Sequence, residues 1–174
     1  RGRGRQSQGP QYPSRADIIP KGTKVQLRNL QSAAHENGKV GKTSDYDAHK
    51  GRYLIALEDG QPVSCKPANV LQLLTGVEIT GVESNPEFNG QLVEVTGQHN
   101  ERYQVKLRDG RALGLQGSRL IWPNKARVEL HSLSKPELNG KFGCIEEFDR
   151  VAGRYVVKLS EQQTVKLKPD NVKL

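Results

Sequence analysis

The chain has 174 residues and carries a formal net charge of +8, with 18 glycines, nine prolines, no methionine, one Trp, five Tyr and three Phe. A basic balance favours association with polyanions but says nothing about fold. No apolar run is long enough to cross a bilayer as a helix, and Arg1-Gly-Arg3-Gly-Arg5 lacks the apolar core of a secretory signal, so an intracellular protein is expected, in the cytoplasm or in an organelle after removal of a transit peptide.

The first 18 residues read as a disordered or extended arm: Arg1, Arg3, Arg5 and Arg15 are spread among Gly, Gln, Ser and Pro, with almost no apolar content before Ile18. Arginines on a glycine-rich backbone suit phosphate recognition, because a guanidinium fork matches phosphate oxygens and glycine lets the chain follow a groove. The alternative is a solvated leader.

From residue 19 onward the chain repeats itself three times. Asn-Gly recurs at Asn37-Gly38, Asn89-Gly90 and Asn139-Gly140, and Arg-Tyr at Arg52-Tyr53, Arg102-Tyr103 and Arg154-Tyr155. A short apolar strand precedes each Asn-Gly, at Val25–Leu27, Val77–Ile79 and Val128–Leu130. Repeats of about fifty residues each form one supersecondary unit. The boundaries fall at 19–74, 75–122 and 123–174. Links as short as Leu71 to Gly76 and Trp122 to Lys125 predict a constrained array rather than beads on a string.

Within a unit the period is two. Tyr53, Ile55 and Leu57 share one strand face, as do Tyr103, Val105 and Leu107, and Tyr155, Val157 and Leu159. Such alternation marks half-buried strands. Asp59-Gly60 and Asp109-Gly110 supply the positive-φ residues of tight hairpins. Lys66-Pro-x-Asn-Val70 and Lys168-Pro-x-Asn-Val172 fit single helical turns before a last strand; the second unit reads Leu115-Gln-Gly-Ser-Arg-Leu120 instead. Five short strands per unit are predicted, closed into a small barrel that leaves few exposed edges.

Gly38-Lys-Val-Gly41 and Gly140-Lys-Phe-Gly143, followed by the Arg-Tyr strand, resemble the Src-homology-3-like barrels, most closely their KOW and Tudor-like branches. The second unit departs with Val93 at the second glycine. The resemblance implies an all-β chain of three tandem five-stranded Src-homology-3-like barrels. It is similar to repeats appended to diverse algal and protist proteins, and implies binding without naming a partner.

Catalytic motifs do not assemble. Gly38–Thr43 imitates a phosphate-binding loop, but Glu36 stands where its first glycine belongs, and the repeat places this segment on a strand rather than before a helix. Cys65 and Cys144 are far apart, and His35, His49, His99 and His131 fall in different loops without metal-ligand spacing. No enzyme, cofactor or metal is expected. Neither an aromatic cage nor a proline-peptide groove fits, because Tyr53 points inward and few other aromatics are near it.

The segment charges are +3 for residues 1–20, +3 for 21–74, −1 for 75–122 and +3 for 123–174. Two function classes follow. One is a non-catalytic assembly subunit, in a ribonucleoprotein or similar complex, whose RNA contacts come from Arg1, Arg3, Arg5 and Arg15 with Lys66, Lys166 and Lys168. The other is a protein-directed scaffold or adaptor in a cytoskeletal or membrane complex, recognising partners through loops at Asn37, Asn89 and Asn139. In either class Trp122 is placed to wedge between barrels or to close the core of unit two.

Overall fold

The structure, a computed structural model, describes residues 12–174; Arg1, Arg3 and Arg5 lie outside the described residues. Fifteen strands, β1 to β15 in chain order, make three antiparallel sheets, and the described residues include no α-helix. The first sheet comprises β1 (Lys24–Leu27), β2 (Val40–Asp47), β3 (Arg52–Leu57), β4 (Pro62–Cys65) and β5 (Val70–Gln72), in the order β4-β3-β2-β1-β5. The second runs from β6 (Val77–Ile79) through β7 (Leu92–His99), β8 (Arg102–Lys106) and β9 (Ala112–Gln116) to β10 (Leu120–Ile121). The third runs from β11 (Arg127–Leu130) through β12 (Phe142–Asp149), β13 (Arg154–Ser160) and β14 (Gln163–Leu167) to β15 (Val172–Lys173). Strand order is equivalent in all three.

Each sheet curls around the apolar side chains of its inward face; those of the second and third merge into one core, and those of the first form a separate one. The inward faces predicted from alternation are buried: Tyr53, Ile55 and Leu57, then Tyr103, Val105 and Leu107, then Tyr155, Val157 and Leu159. Every second strand carries a register shift at the same place, between Thr43 and Asp45, Val95 and Gly97, and Ile145 and Glu147. Such bulges bend the strand and raise its twist, which is how five strands wrap a core this small.

Gly41 and Gly143 have a steric reason. A Cβ on Gly41 would lie 2.5 Å from the Ala56 carbonyl oxygen, and one on Gly143 would lie 2.6 Å from Val157 Cγ1. The second unit carries Val93 at this position, buried, and nothing in the strand register explains the difference, since β12 and β13 begin pairing at the equivalent Cys144–Lys158 although Gly143 is required there.

The second and third units are joined through buried hydroxyls. Tyr155 Oη accepts the backbone N–H of Trp122, which follows the last strand of the second unit (2.9 Å). Tyr103 Oη accepts the N–H of Leu174, which follows the last strand of the third (3.2 Å). Each unit thus plugs its tail into the other, and their 3-10 turns Gly117–Arg119 and Pro169–Asn171 meet between them. The two units form a pair with approximate twofold symmetry and a continuous core. In the first unit Tyr53 Oη accepts the N–H of Ile19 instead (2.9 Å), so the segment before β1 fills the same socket.

The plugs before β1 and β11 share one geometry. Gly22 and Lys125 both adopt positive φ (84° and 72°), and both donate N–H bonds of 2.7 Å, to Thr43 and Ile145 carbonyls. Trp122 is buried, packs edge-on against Tyr103 of its own unit at 4.9 Å, and bonds through its backbone to the next.

Unit one docks on this pair through two arginines. Arg28 donates to the Ala68 carbonyl in its own unit, to Gln98 Oε1 in the second (Nη1, a close contact of 2.5 Å) and to the Leu174 carbonyl in the third (2.8 Å). Burial lowers its pKa, since its acceptors are neutral. Arg127 of the third unit reaches the Arg15 carbonyl (3.1 Å), while its backbone N–H and C=O both pair with the buried Gln72 side chain.

Candidate functional site

The residues read as recognition elements fall into two groups. Asn37, Asn89 and Asn139 sit just after a 3-10 turn, and each side-chain amide closes its own loop. Asn37 accepts from the Leu30 N–H and donates to the Leu30 carbonyl (2.9 and 3.1 Å). Asn89 does the same with Val82 (2.8 and 2.9 Å) and Asn139 with Leu133 (2.9 and 3.2 Å). These amides hold the long loop before each second strand, and their hydrogen-bonding groups are engaged within the chain.

The cations form the second group. Lys66 and Lys168 directly precede the Pro67–Asn69 and Pro169–Asn171 turns, and Lys166 lies on β14; all three are exposed. The register of the second unit sets Arg102 opposite Gln116. In the other units the ladders end one residue earlier, at Tyr53–Cys65 and Tyr155–Leu167, so that Arg52 with Lys66, and Arg154 with Lys168, are the residues next to the last paired ones. Units one and three therefore carry an Arg–Lys pair at one place on the barrel edge, and unit two carries Arg–Gln. Lys166, opposite Val156, extends the strip on unit three.

Asp47 and Asp149 stand across from Arg52 and Arg154, but both carboxylates are turned into their own loops, accepting from His49 and Lys50, and from Val151 and Ala152. Those backbone N–H bonds hold the Asp47 carboxyl below its ordinary range. Among the described residues, no carboxylate lies within ion-pair distance of Arg52, Lys66, Arg154, Lys166 or Lys168. A second cluster sits on unit one, where Lys24 of β1 faces Lys42 of β2, both exposed. Arg15 is arranged differently. Its guanidinium grips Asp17 at 2.6 and 3.0 Å, and its carbonyl accepts from Arg127, so it anchors the arm to unit three.

Sequence reasoning missed Arg52, Arg154, Lys24 and Lys42 as members of these clusters. The signal was present: a strand two residues shorter or longer than its hairpin partner changes which cations face each other, and only the turn length fixes that.

Among the described residues no group of three His, Cys, Asp or Glu is placed to hold a metal ion. Cys65 is buried and burial raises its thiol pKa, while Cys144 is partly exposed against Arg127 Nη1 at 3.3 Å. Gly38–Thr43 spans the turn before β2 and the first half of β2, with Gly41 pressed against β3, and does not open a helix. No protein-family model and no curated protein sequence matches the chain.

Proposed function

We propose that the chain is a non-catalytic assembly subunit built of three Src-homology-3-like barrels of the KOW and Tudor-like kind, contacting RNA phosphates within a ribonucleoprotein or similar complex. The observation that carries this reading is the recurrence of an Arg and a Lys at the same end of the ladder in units one and three, free of carboxylate partners among the described residues. Two adjacent cations repel each other in the absence of a ligand and are relieved by a phosphate. The welded barrels hold such pairs at fixed separation, which suits a structured backbone, and the Arg-Gly arm adds contacts from Arg1, Arg3 and Arg5. Arg15 contributes by fixing where the arm leaves the body.

The test is binding of a fluorescent single-stranded oligouridine across a salt series. Each phosphate contact contributes roughly 0.7 to the slope of log K against log salt, so Lys66→Glu with Lys168→Glu should reduce its magnitude by about 1.4. Replacing Arg1, Arg3 and Arg5 by Ala should reduce it further. Retention of RNA unchanged in both variants would defeat the proposal.

The second reading is a protein-directed scaffold. It is favoured by the net −1 charge of residues 75–122 and by Gln116 replacing the edge lysine, which together interrupt a continuous basic stripe. Partners that survive nuclease and high salt would support it over RNA.

A further inference from the structure

Each sheet ends in a strand with one free side. Among the described residues β4, β9 and β14 pair only with β3, β8 and β13. Such an edge offers a row of unpaired N–H and C=O groups to any strand that approaches it. The hairpin decides which residues carry that row. In unit two the Leu107 N–H bonds the Arg111 carbonyl at 2.8 Å. Along this antiparallel ladder Leu113 and Leu115 therefore exchange bonds with Val105 and Tyr103, while Ala112, Gly114 and Gln116 direct theirs away from β8. The equivalent outward residues are Pro62, Ser64 and Lys66 in unit one, and Thr164, Lys166 and Lys168 in unit three.

The three edges are not equally protected. Proline lacks a donor and lysine brings charge, and both blunt an edge against pairing. Unit one has Pro62 with Lys66 and unit three has Lys166 with Lys168, all four exposed. In unit two the strand Ala112-Leu113-Gly114-Leu115-Gln116 carries neither proline nor charge. A Cβ at Gly114 would first meet the Gln104 side chain of its own barrel, at 3.3 Å. The Gly114 carbonyl takes Arg102 Nη1 at 3.2 Å and keeps a second lone pair for another donor.

We propose that two copies of this chain join edge to edge through β9, antiparallel about a twofold axis at Gly114. An antiparallel edge is complementary to itself. With Gly114 opposite its counterpart, Ala112 falls opposite Gln116, and the outward groups of all three residues find partners. Residues directly opposite bring their side chains within about 5 Å, so the axis position decides whether identical edges accept each other. Unit two places glycine there. The same contact in unit three would set Lys166 against Lys166, and in unit one it would set Pro62, without an N–H, opposite Lys66. Charge selects the same unit: the chain carries +8 but residues 75–122 carry −1, so copies meeting through unit two touch where they repel least. An extended peptide of another protein needs side-chain pockets for specificity, and Ala112 and Gly114 offer none. Unit two supplies no residue to the RNA reading, so either proposal can fail alone.

The experiment is sedimentation velocity on the nuclease-treated full chain over a concentration series, with variants that borrow the guards of the sister barrels. Ala112→Pro copies Pro62 and Gly114→Lys copies Lys166, at positions the other two units already accommodate. The native chain should show a concentration-dependent dimer that strengthens with added salt, which screens repulsion between the basic copies. Each variant should weaken it at least about tenfold with circular dichroism unchanged, while Ser64→Lys on the edge of unit one leaves it intact. Amide exchange at Gly114 should slow as concentration rises. A chain monomeric at every concentration, a dimer indifferent to both edge variants, or Gly114 exchange that ignores concentration would overturn the proposal.

Discussion

Replacing Tyr155 by Phe removes a single oxygen and tests how the units are joined. That oxygen accepts the Trp122 N–H at 2.9 Å in a setting where Tyr155 is 1% exposed and Trp122 2% exposed. Burial raises the Tyr155 pKa to about 12, as expected of a phenol removed from water. Deleting the acceptor leaves a buried N–H without its hydroxyl partner, at a cost of about 1–3 kcal/mol rather than the smaller net value of an average hydrogen bond. For a chain of this size that is a fall of about 2–4 °C in Tm for each kcal/mol. Tyr46 provides the control. Its ring stacks on Tyr53 at 4.9 Å, yet its hydroxyl has no hydrogen bond among the described residues, so Tyr46→Phe should cost less than about 0.5 kcal/mol. Urea unfolding of both variants, with amide exchange at Trp122, decides the matter. Equal stability losses, with Trp122 exchange unaltered by Tyr155→Phe, would refute the socket.

Arg28→Met removes donors to all three units while keeping most of the side-chain length; we expect a loss of about 1–3 kcal/mol and a separate early transition for unit one, read by tryptophan-independent circular dichroism against Trp122 fluorescence. Arg28→Lys should not restore it, because an ammonium lacks the planar fork. Gly41→Ala drives a methyl to 2.5 Å from the Ala56 carbonyl and should cost about 1–3 kcal/mol in denaturant melts, while Val93→Ala, at the equivalent place, should act only as an ordinary core truncation. Alkaline pH should unfold the chain: the pKa values of Tyr12 and Tyr155 rise from 10.0 to about 12 and those of Tyr53 and Tyr103 also rise. The native state therefore holds these protons more tightly, so stability is full below pH 10 and falls as pH climbs from there through the native values, by up to about 1.4 kcal/mol per pH unit for each of the buried Tyr53, Tyr103 and Tyr155 and by less for the half-exposed Tyr12, whose charge water screens. Tyrosinate absorbance followed together with circular dichroism checks this.

The architecture was legible because it depends on local signals. Alternation placed Tyr53, Tyr103 and Tyr155 on inward faces, and Lys-Pro-x-Asn announced turns that the structure forms at Pro67–Asn69 and Pro169–Asn171. What those turns accomplish was not legible. Asn69 and Asn171 donate to the carbonyls of Arg28 and His131, and in unit two, where the motif is lost, Arg119 donates to Gly81 in their place. A different residue type does the same task from the same position, and no sequence match reveals that.

The joints were harder still. Tyr103 and Leu174 are 71 residues apart, and Arg28 and Leu174 146 apart. No periodicity within a fifty-residue repeat encodes which tail enters which socket. Asn37, Asn89 and Asn139 drew attention as recurrent loop residues, yet recurrence here reflects a demand common to the three loops, the pairing of one amide with one backbone residue. The edge cations needed strand register, which turn length sets and composition does not.

Residual dipolar couplings measured for the three sheets in one weakly aligned sample test most directly whether tails and arginines lock them into a single body. One alignment tensor should fit β1–β5, β6–β10 and β11–β15 together in the orientations given by these contacts. Three tensors of differing magnitude would show units that move independently, and the exchanged-tail architecture would not stand.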